Sequence, residues 1–371
     1  MATCTMILAW MVLAVVAPRG QAEAGTGHEA CLGHEGSELE DSSLLQHKGA
    51  DARKPCPGKP PHSRSLWAVG GSCDPKAPPP TLTNCSKVEV FSPAHGSGWR
   101  EGPPLNQGRF FLSLAVLNDA MYAIGGFSSE TLQSVEVLHR GAEAWKESTP
   151  MPRPRRGMGA ATFNGRIYAV GGAEEVGQAV ALTRVESFDG KEWRTEPSLT
   201  VPRQNPSAAV YQGKLYAIGG ATCGEANDCK CPSTKAECIA SNSVEVFDGE
   251  SWSAAPSMVQ YRNGGAATVF NGKLFVAGGA CDPFEITRPS PFNCWGSTLV
   301  EAFDGTRWSL HPQMDWGFGG GSGLAALGST LFVGGGEDQA PCDFLGCPCK
   351  AKEDCANPST FASAFQAFDG A

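Results

Sequence analysis

Residues 167–172 read IYAVGG, a short apolar run that ends in two glycines, and similar runs occur five more times in the chain. They recur at intervals of 46 to 59 residues. Glycine adopts positive φ without strain and lets neighbouring backbone approach closely at a strand end. The pattern therefore predicts one strand in each of six internal repeat units. The paired glycines are Gly70 and Gly71, Gly125 and Gly126, Gly171 and Gly172, Gly219 and Gly220, Gly278 and Gly279, and Gly335 and Gly336.

Further signals follow the glycines in a fixed order. An apolar piece such as VEVF at 244–247 comes first, then a tryptophan, and ten residues after four of the tryptophans stands an arginine. Residues that recur in register are expected to be scaffold. The glutamates are therefore interpreted as hydrogen-bonding groups rather than catalytic carboxylate pairs, and the arginines as structural rather than anion-binding groups. These residues are Trp99, Trp145, Trp193, Trp252 and Trp308; Arg109, Arg155, Arg203 and Arg262; and Glu89, Glu136, Glu186, Glu245 and Glu301.

Each unit thus holds about four short strands separated by turn residues, and no helical period competes with them. One four-stranded sheet cannot bury both of its faces alone, so the units are expected to pack face to face in a ring. Residues 66–370 resemble the kelch-repeat family in these motifs. The resemblance implies an all-β, six-bladed propeller with four-stranded antiparallel blades. It also places the diglycine at the end of strand two and the tryptophan on strand four.

The two ends of the repeat region depart from the pattern. Residues 55–62 (PCPGKPPH) precede the first unit, and their four prolines exclude a central strand. After FDG at 368–370, a sixth tryptophan would fall at position 373. Strand four of the sixth unit and the closing strand of the first are therefore both expected to be absent. We interpret this as truncation before ring closure, with an open ring as the alternative.

The N-terminus predicts the compartment. Residues 7–17 (ILAWMVLAVVA) are too short for a membrane span of about 20 residues, and Ala-Glu-Ala follows at 22–24. We predict a signal peptide at 1–24, although no Lys or Arg precedes the apolar run, and a hydrophobic N-terminal helix is the alternative. A polar Pro/Gly-rich segment at 25–65 and the propeller at 66–371 follow. The protein is expected to be secreted or lumenal, with no membrane span after cleavage.

The cysteines support secretion. The chain has 15, and removal of the signal peptide leaves an even number in even groups, as expected of local disulfides. Asn84 stands in a weak N-glycosylation pattern, Asn-Cys-Ser. The groups are Cys31 and Cys56; Cys73 and Cys85; Cys223, Cys229, Cys231 and Cys238; Cys281 and Cys294; and Cys342, Cys347, Cys349 and Cys355.

Most of these cysteines interrupt the repeat. They lie between strands two and three of the first, fourth, fifth and sixth units, in long connections that emerge on one face of a ring. In each four-cysteine loop a bridge within Cys-x-Cys is strained. First-to-second with third-to-fourth, or first-to-third with second-to-fourth, then remain. Zinc binding is the rival interpretation, but the spacing lacks the usual Cys-x2-Cys pair.

The cysteine-rich loops are also the candidate binding surface, because recognition residues are concentrated on loops. The alternative is that they are tolerated insertions, held by disulfides because they lack a core. The candidate contact residues are Lys230, Glu237, Asp282, Phe284, Glu285, Arg288, Phe292, Trp295, Asp343 and Phe344.

We therefore expect a non-enzymatic binding module that recognises a protein or a glycan and needs no cofactor or metal. The net charge of −9 argues against nucleic-acid binding. Residues 25–61 are too short for the oligomerisation domain of kelch ubiquitin-ligase adaptors. The alternative is a carbohydrate-active enzyme, since the resemblance extends to copper carbohydrate oxidases and a sialic acid epimerase. Only Tyr211 and Tyr261 are tyrosines outside the strand-two scaffold position, and no His or Tyr ligand cluster is recognisable.

Overall fold

Strands are the only regular elements in the part of the chain that this computed structural model describes. It describes residues 7–9, 12–16, 65–71, 85–92, 98–174, 178–223, 230–232, 238–279, 297–314, 321–338 and 365–368. The strands in these ranges are β1 (Ile7–Ala9), β2 (Val12–Val16), β3 (Ser65–Val69), β4 (Val88–Phe91), β5 (Trp99–Glu101), β6 (Ser113–Leu117), β7 (Ala120–Ile124), β8 (Val135–His139), β9 (Lys146–Ser148), β10 (Gly159–Phe163), β11 (Arg166–Val170), β12 (Gln178–Val180), β13 (Val185–Phe188), β14 (Trp193–Glu196), β15 (Ser207–Tyr211), β16 (Lys214–Ile218), β17 (Ala221–Cys223), β18 (Lys230–Pro232), β19 (Cys238–Ala240), β20 (Val244–Phe247), β21 (Trp252–Ala255), β22 (Ala266–Phe270), β23 (Lys273–Ala277), β24 (Val300–Phe303), β25 (Trp308–His311), β26 (Ser322–Leu327), β27 (Thr330–Asp338) and β28 (Phe365–Phe368).

Five sheets share one plan of four antiparallel strands in chain order. We call them blades one to five: β2-β3-β4-β5, β6-β7-β8-β9, β10-β11-β13-β14, β15-β16-β20-β21 and β22-β23-β24-β25. The first strands of neighbouring blades pack side by side around an axis, with β6 against β10, β10 against β15, and β15 against β22. The all-β propeller with four-stranded antiparallel blades is therefore confirmed.

The predicted number of six blades is wrong: the described residues form five complete blades. The sixth repeat unit forms a sheet in which β27 pairs with β26 and β28, and β1 pairs with residues 336–338 of β27. In the complete blades strand four begins at, or one residue after, the repeated tryptophan. In the described residues no further strand follows β28, so the sixth sheet there has no strand at the fourth position of a blade.

The expectation that blade one lacks its first strand is also wrong. The strand is β2, which pairs with β3 from Val12 opposite Val69 to Val16 opposite Ser65. It packs between β6 and β26 on the inner side of the ring. Its sequence, VLAVV, is rich in β-branched and apolar residues, which favour strand formation. The first blade is thus completed by residues that lie within the predicted signal peptide.

Tryptophans on the outer part of the blades tie neighbouring blades together. Trp252 stacks on Phe247 of its own blade, with ring centroids 5.1 Å apart. Its indole Nε1 donates a hydrogen bond of 2.9 Å to the carbonyl of Pro197 in the preceding blade. Trp308 repeats this arrangement with Phe303 and Pro256. A buried indole needs such a partner, and here the partner fixes the spacing of adjacent sheets.

Aspartates close the turns between strands three and four. In blade five, Oδ1 of Asp304 accepts hydrogen bonds from the backbone N–H groups of Thr306 (2.8 Å) and Arg307 (2.9 Å). The hydroxyl of Thr306 also donates to Oδ1 at 2.6 Å, and this bond, together with the two backbone bonds, lowers the pKa of Asp304 to about 2. The carboxylate of Asp189 in blade three makes equivalent backbone bonds, and its pKa is also lowered to about 2. The charged form of each side chain therefore stabilises its turn.

We expect Asp304→Asn to show the pH dependence of this turn. The folded-state pKa lies below the ordinary value of 3.8, so the stabilisation is fully present above about pH 4 and is lost as the pH falls towards 2. The thermal midpoint of the variant should therefore lie below that of the wild type at pH 6, and the difference should shrink as the pH is lowered. A difference that stays constant from pH 6 to pH 3 would contradict this account.

Candidate functional site

Buried ion pairs join the loop before each of blades two to five to the blade itself. In blade five, Arg262 Nη2 lies 3.0 Å from Oε1 of Glu301, and Nη1 donates to the carbonyl of Gly278 at 2.7 Å. The side chains of Arg262 and Glu301 are almost fully buried. The other oxygen of Glu301 accepts the backbone N–H of Val259 at 2.6 Å. The equivalent pairs are Arg109 with Glu136, Arg155 with Glu186, and Arg203 with Glu245.

Burial lowers the pKa of each of these arginines, while the facing glutamate opposes the shift. Burial lowers the pKa of Arg155 to about 10. The guanidinium groups therefore remain charged at neutral pH. Each also donates to main-chain carbonyls at the end of strand two, as Arg203 does to Gly219 at 2.8 Å. All four arginines thus hold the inner loops in place and are closed to a dissolved anion.

Blade one lacks this pair in the described residues. Glu89 stands at the same place in strand three, but its carboxylate binds Lys87 at 2.8 Å. The side chain of Glu89 is 17% exposed, whereas that of Glu301 is fully buried. The first blade therefore has a weaker, more exposed version of the interaction that recurs in the other four.

A chain of backbone hydrogen bonds runs around the axis where the inner strands begin. Five residues, one before each of β6, β10, β15, β22 and β26, have positive φ and form what we call the collar. The N–H of each donates to the carbonyl of the collar residue before it, at 2.7 to 3.1 Å, with the exception of the first member. The collar residues are Phe111, Gly157, Asn205, Gly264 and Gly321.

The collar opens into a cavity of about 160 Å³ on the axis of the ring. Its described lining consists mainly of backbone and small side chains from the first strands, and it contains no acidic, basic or histidine side chain. Asn205 Nδ2 donates to Asn263 Oδ1 at 3.2 Å, whereas Asn205 Oδ1 has no hydrogen-bond partner. The guanidinium of Arg156 lies over the ring of Phe111, 5.4 Å from its centroid.

Two kinds of connection meet at this end of the ring, which we call the loop face. The loops that lead from one blade to the next lie beside the loops that join strands two and three. Backbone bridges link them, for example between Arg156 and Ala173 and between Gln204 and Ala221. The cysteine-rich connections predicted from the sequence begin and end on this face.

In the described residues, the loop face carries three exposed large apolar side chains: Val180 of β12 at 36%, and two that are more exposed. Val259 and Tyr261 are 56% and 51% exposed, and both lie in the loop that leads from blade four to blade five. Their neighbours Met258 and Arg262 in the same loop are buried. The backbone of this loop is held in place, because Glu301 accepts the N–H groups of Val259 and Gln260. Arg262 also forms a backbone β-bridge with Ser241. A rigid backbone therefore presents both side chains to solvent.

The connections of blades three and four form extra sheets on the same face. In blade four, β17 pairs with β19, so that the connection rises as a hairpin from the ends of β16 and β20. β18 lies within this connection and pairs with β12 of the blade-three connection. The two insertions are thereby joined across neighbouring blades.

Comparison with protein families identifies the repeats. Residues 108–152 and 154–200 each match the model of the Kelch motif. The first range covers the strands of blade two, and the second covers those of blade three. The chain contains kelch repeats.

A solved structure resembles the chain in its fold. The structure of YjhT resembles the chain with a TM-score of 0.58 and 15% sequence identity, over 74% of this chain and 88% of that one. At this identity the likeness concerns the fold alone. No curated protein sequence matches the chain.

The kelch ring holds several residues that were predicted as functional. Lys230 is the first residue of β18, Cys231 is the second, and Cys223 and Cys238 lie at facing ends of β17 and β19. Cys85 is buried and disulfide-bonded. The remaining candidates lie outside the described residues: Asn84, Glu237, Asp282, Phe284, Glu285, Arg288, Phe292, Trp295, Asp343, Phe344, Cys31, Cys56, Cys73, Cys229, Cys281, Cys294, Cys342, Cys347, Cys349 and Cys355.

From the sequence, Tyr261 was considered only as a possible ligand of a copper oxidase site, and the collar was not predicted. A signal for each is present: Tyr261 stands directly before Arg262, where the other blades have Gly108, Pro154 and Pro202, and the collar residue in most units is the second after the arginine. Two further observations concern only the described part of the chain. No three His, Cys, Asp or Glu side chains there are grouped to hold a metal ion, and no helix there is long and apolar enough to cross a membrane.

Proposed function

We propose that this kelch propeller is a protein-binding module of the secretory pathway, and that its partner docks on the loop face. Kelch propellers are in general protein-binding modules, and the exposure of Val259 and Tyr261 is the observation that carries the choice of face. Tyrosine is enriched among residues that dominate interface energies, because it offers a large rigid surface with one polar end.

The size of the cavity favours a macromolecular partner over a small molecule. Pockets for small ligands usually enclose about 300–1,000 Å³. The axial cavity here is about 160 Å³, and its walls are largely backbone and small side chains. The larger accessible surface is the loop face around the cavity. A protein can cover that surface and insert one side chain at the mouth.

The predicted disulfides give this surface its rigidity in the proposal. The blade-four connection, which holds four cysteines, is tied to the Tyr261 loop through the Ser241–Arg262 bridge. A loop that is already ordered loses less entropy when a partner binds. Secretion fits this arrangement, because disulfides persist in oxidising compartments.

Differential capture tests the proposal. The wild type, the double variant Val259→Ser/Tyr261→Ser and the control Leu310→Ser would be immobilised and exposed to secreted and cell-surface proteins. Leu310 is a matched control, since it is 52% exposed but lies on the outer strand β25. We expect the wild type and the control to retain a common protein, and the double variant to retain at least about tenfold less, equivalent to about 1.4 kcal/mol.

Equal retention by all three proteins would overturn the choice of the loop face. Retention of nothing by the wild type would overturn the binding-module proposal itself. Because both substituted side chains are exposed, the double variant should keep the thermal midpoint of the wild type within a few degrees, which shows that lost capture is not lost folding.

A further inference from the structure

The base of the blade-four hairpin places two cysteines opposite each other. β17 and β19 are antiparallel, and their register pairs Ala221 with Ala240, Thr222 with Ile239, and Cys223 with Cys238. These cysteines are the first and the fourth of the Cys223–Cys238 group. They therefore occupy facing positions in the ladder, although they are 15 positions apart in sequence.

The hydrogen bonds at the foot of the hairpin set the type of each facing pair. The N–H of Ser241 donates to the carbonyl of Gly220 at 2.8 Å, so Gly220 and Ser241 form a hydrogen-bonded position. Positions alternate along an antiparallel ladder between hydrogen-bonded and non-hydrogen-bonded. Counting three steps outwards, Cys223 and Cys238 form a non-hydrogen-bonded pair.

That position suits a disulfide. Facing Cα atoms of a non-hydrogen-bonded pair are about 4.5 Å apart. Disulfides join Cα atoms about 4.4–6.8 Å apart, so the spacing of a non-hydrogen-bonded pair lies within the range that a disulfide spans. The first-to-second and first-to-third pairings expected from the sequence would instead have to draw Cys223 away from its partner in the ladder.

We infer that Cys223 and Cys238 form a disulfide that staples the base of the blade-four hairpin. The inference deepens the proposed function, and it rests on the proposed secretory location for its oxidant. The two thiols lose two protons and two electrons by exchange with a disulfide-bearing oxidoreductase, whose own disulfide becomes a dithiol. The staple holds the insertion that carries β18 against β12 of blade three.

If Cys223 pairs with Cys238, the remaining cysteines of this loop are Cys229 and Cys231. A bridge between Cys229 and Cys231 would be strained, because they stand in a Cys-x-Cys sequence. The strain counts against a Cys223–Cys238 bridge only if Cys229 and Cys231 must also be joined to each other. The strand register places Cys223 opposite Cys238, and this supports their bridge whether or not Cys229 and Cys231 are oxidised.

Peptide mapping without reduction tests the staple on the full chain. After free thiols are blocked, digestion with trypsin and a glutamate-specific protease separates all four cysteines: peptides 215–225, 226–230, 231–235 and 238–245 carry one each. We expect peptide 215–225 to be linked to 238–245. Linkage of 215–225 to 226–230 or 231–235, or blocked thiols at both Cys223 and Cys238, would overturn the inference.

Two variants separate the staple from its neighbours. Cys238→Ser should make Cys223 available to the blocking reagent, whereas Cys229→Ser should leave the link between 215–225 and 238–245 intact. If Cys238→Ser does not fold, the mapping of Cys229→Ser still decides. A different linkage in the peptide map would overturn the Cys223–Cys238 bridge but not the docking of a partner on the loop face. Failed capture by the wild type would overturn the docking proposal but not the bridge. The two failures are therefore distinguishable.

Discussion

Replacing Arg262 by Met is expected to destabilise the protein by about 3–5 kcal/mol, because it leaves a buried carboxylate without its counter-ion. Glu301 is fully buried, and Arg262 meets it through both Nε and Nη2. The same substitution removes the donors to the carbonyls of Gly278 and Leu299. Methionine has a similar length, so loss of packing contributes less than loss of charge. Chemical denaturation monitored by tryptophan fluorescence measures the free energy of unfolding.

A surface ion pair in the same blade is the matched control. Arg307 is 83% exposed and lies 3.9 Å from Asp304. Arg307→Met should cost no more than about 1 kcal/mol. The double variant Arg262→Met/Glu301→Gln should recover part of the loss, since it no longer buries an unpaired charge. Equal effects of Arg262→Met and Arg307→Met would contradict the scaffold role of the repeated arginines.

Removal of residues 1–24 is expected to have the second large effect, since it deletes the first strand of blade one. β2 covers the inner edge of β3, where Leu66 and Val69 are completely buried. Uncovering a large apolar side chain costs about 1.5–3 kcal/mol. The shortened chain should therefore be several kcal/mol less stable than the full chain. Its open strand edge should also recruit other strands, with self-association as the visible result.

Comparing the two forms also tests the predicted signal peptide against the structural role of the same residues. Denaturant unfolding and light scattering would be measured on residues 1–371 and 25–371. Equal stability and equal mass per particle would contradict a structural role for β2. Cleavage after residue 24 and completion of blade one by β2 exclude each other in one molecule. N-terminal sequencing of the protein purified from the cells that make it, or from their medium, shows whether these residues are retained.

The repeat motifs predicted the blades well because each signal reports local chemistry. Gly171 and Gly172 end strand two in the structure with φ of 64° and 98°, and a Cβ at Gly171 would lie 2.5 Å from the carbonyl oxygen of Arg203. Such a contact allows only glycine. The tryptophans and the arginine–glutamate spacing are equally local to one unit or its neighbour. They repeat because every interface between blades needs the same packing.

The errors arose where pairing is not local. β2 joins β3 across a gap of nearly fifty residues, and the same apolar run fits both a signal peptide and a strand of a blade. Composition cannot separate these uses. The facing of Cys223 and Cys238 likewise depends on strand register, which the spacing of cysteines does not contain. Exposure of Tyr261 depends on how its loop is anchored by Glu301, a residue far along the chain.

The central claim is that a partner protein docks on the loop face while the repeated residues hold the ring. Site-specific photocrosslinking tests it most directly, with a benzophenone amino acid placed at position 261 or at position 310. Both positions are about half exposed, but they lie on different parts of the propeller. The account predicts a covalent product with one secreted or cell-surface protein from position 261 and none from position 310. The same product from both positions, or from position 310 alone, would contradict it.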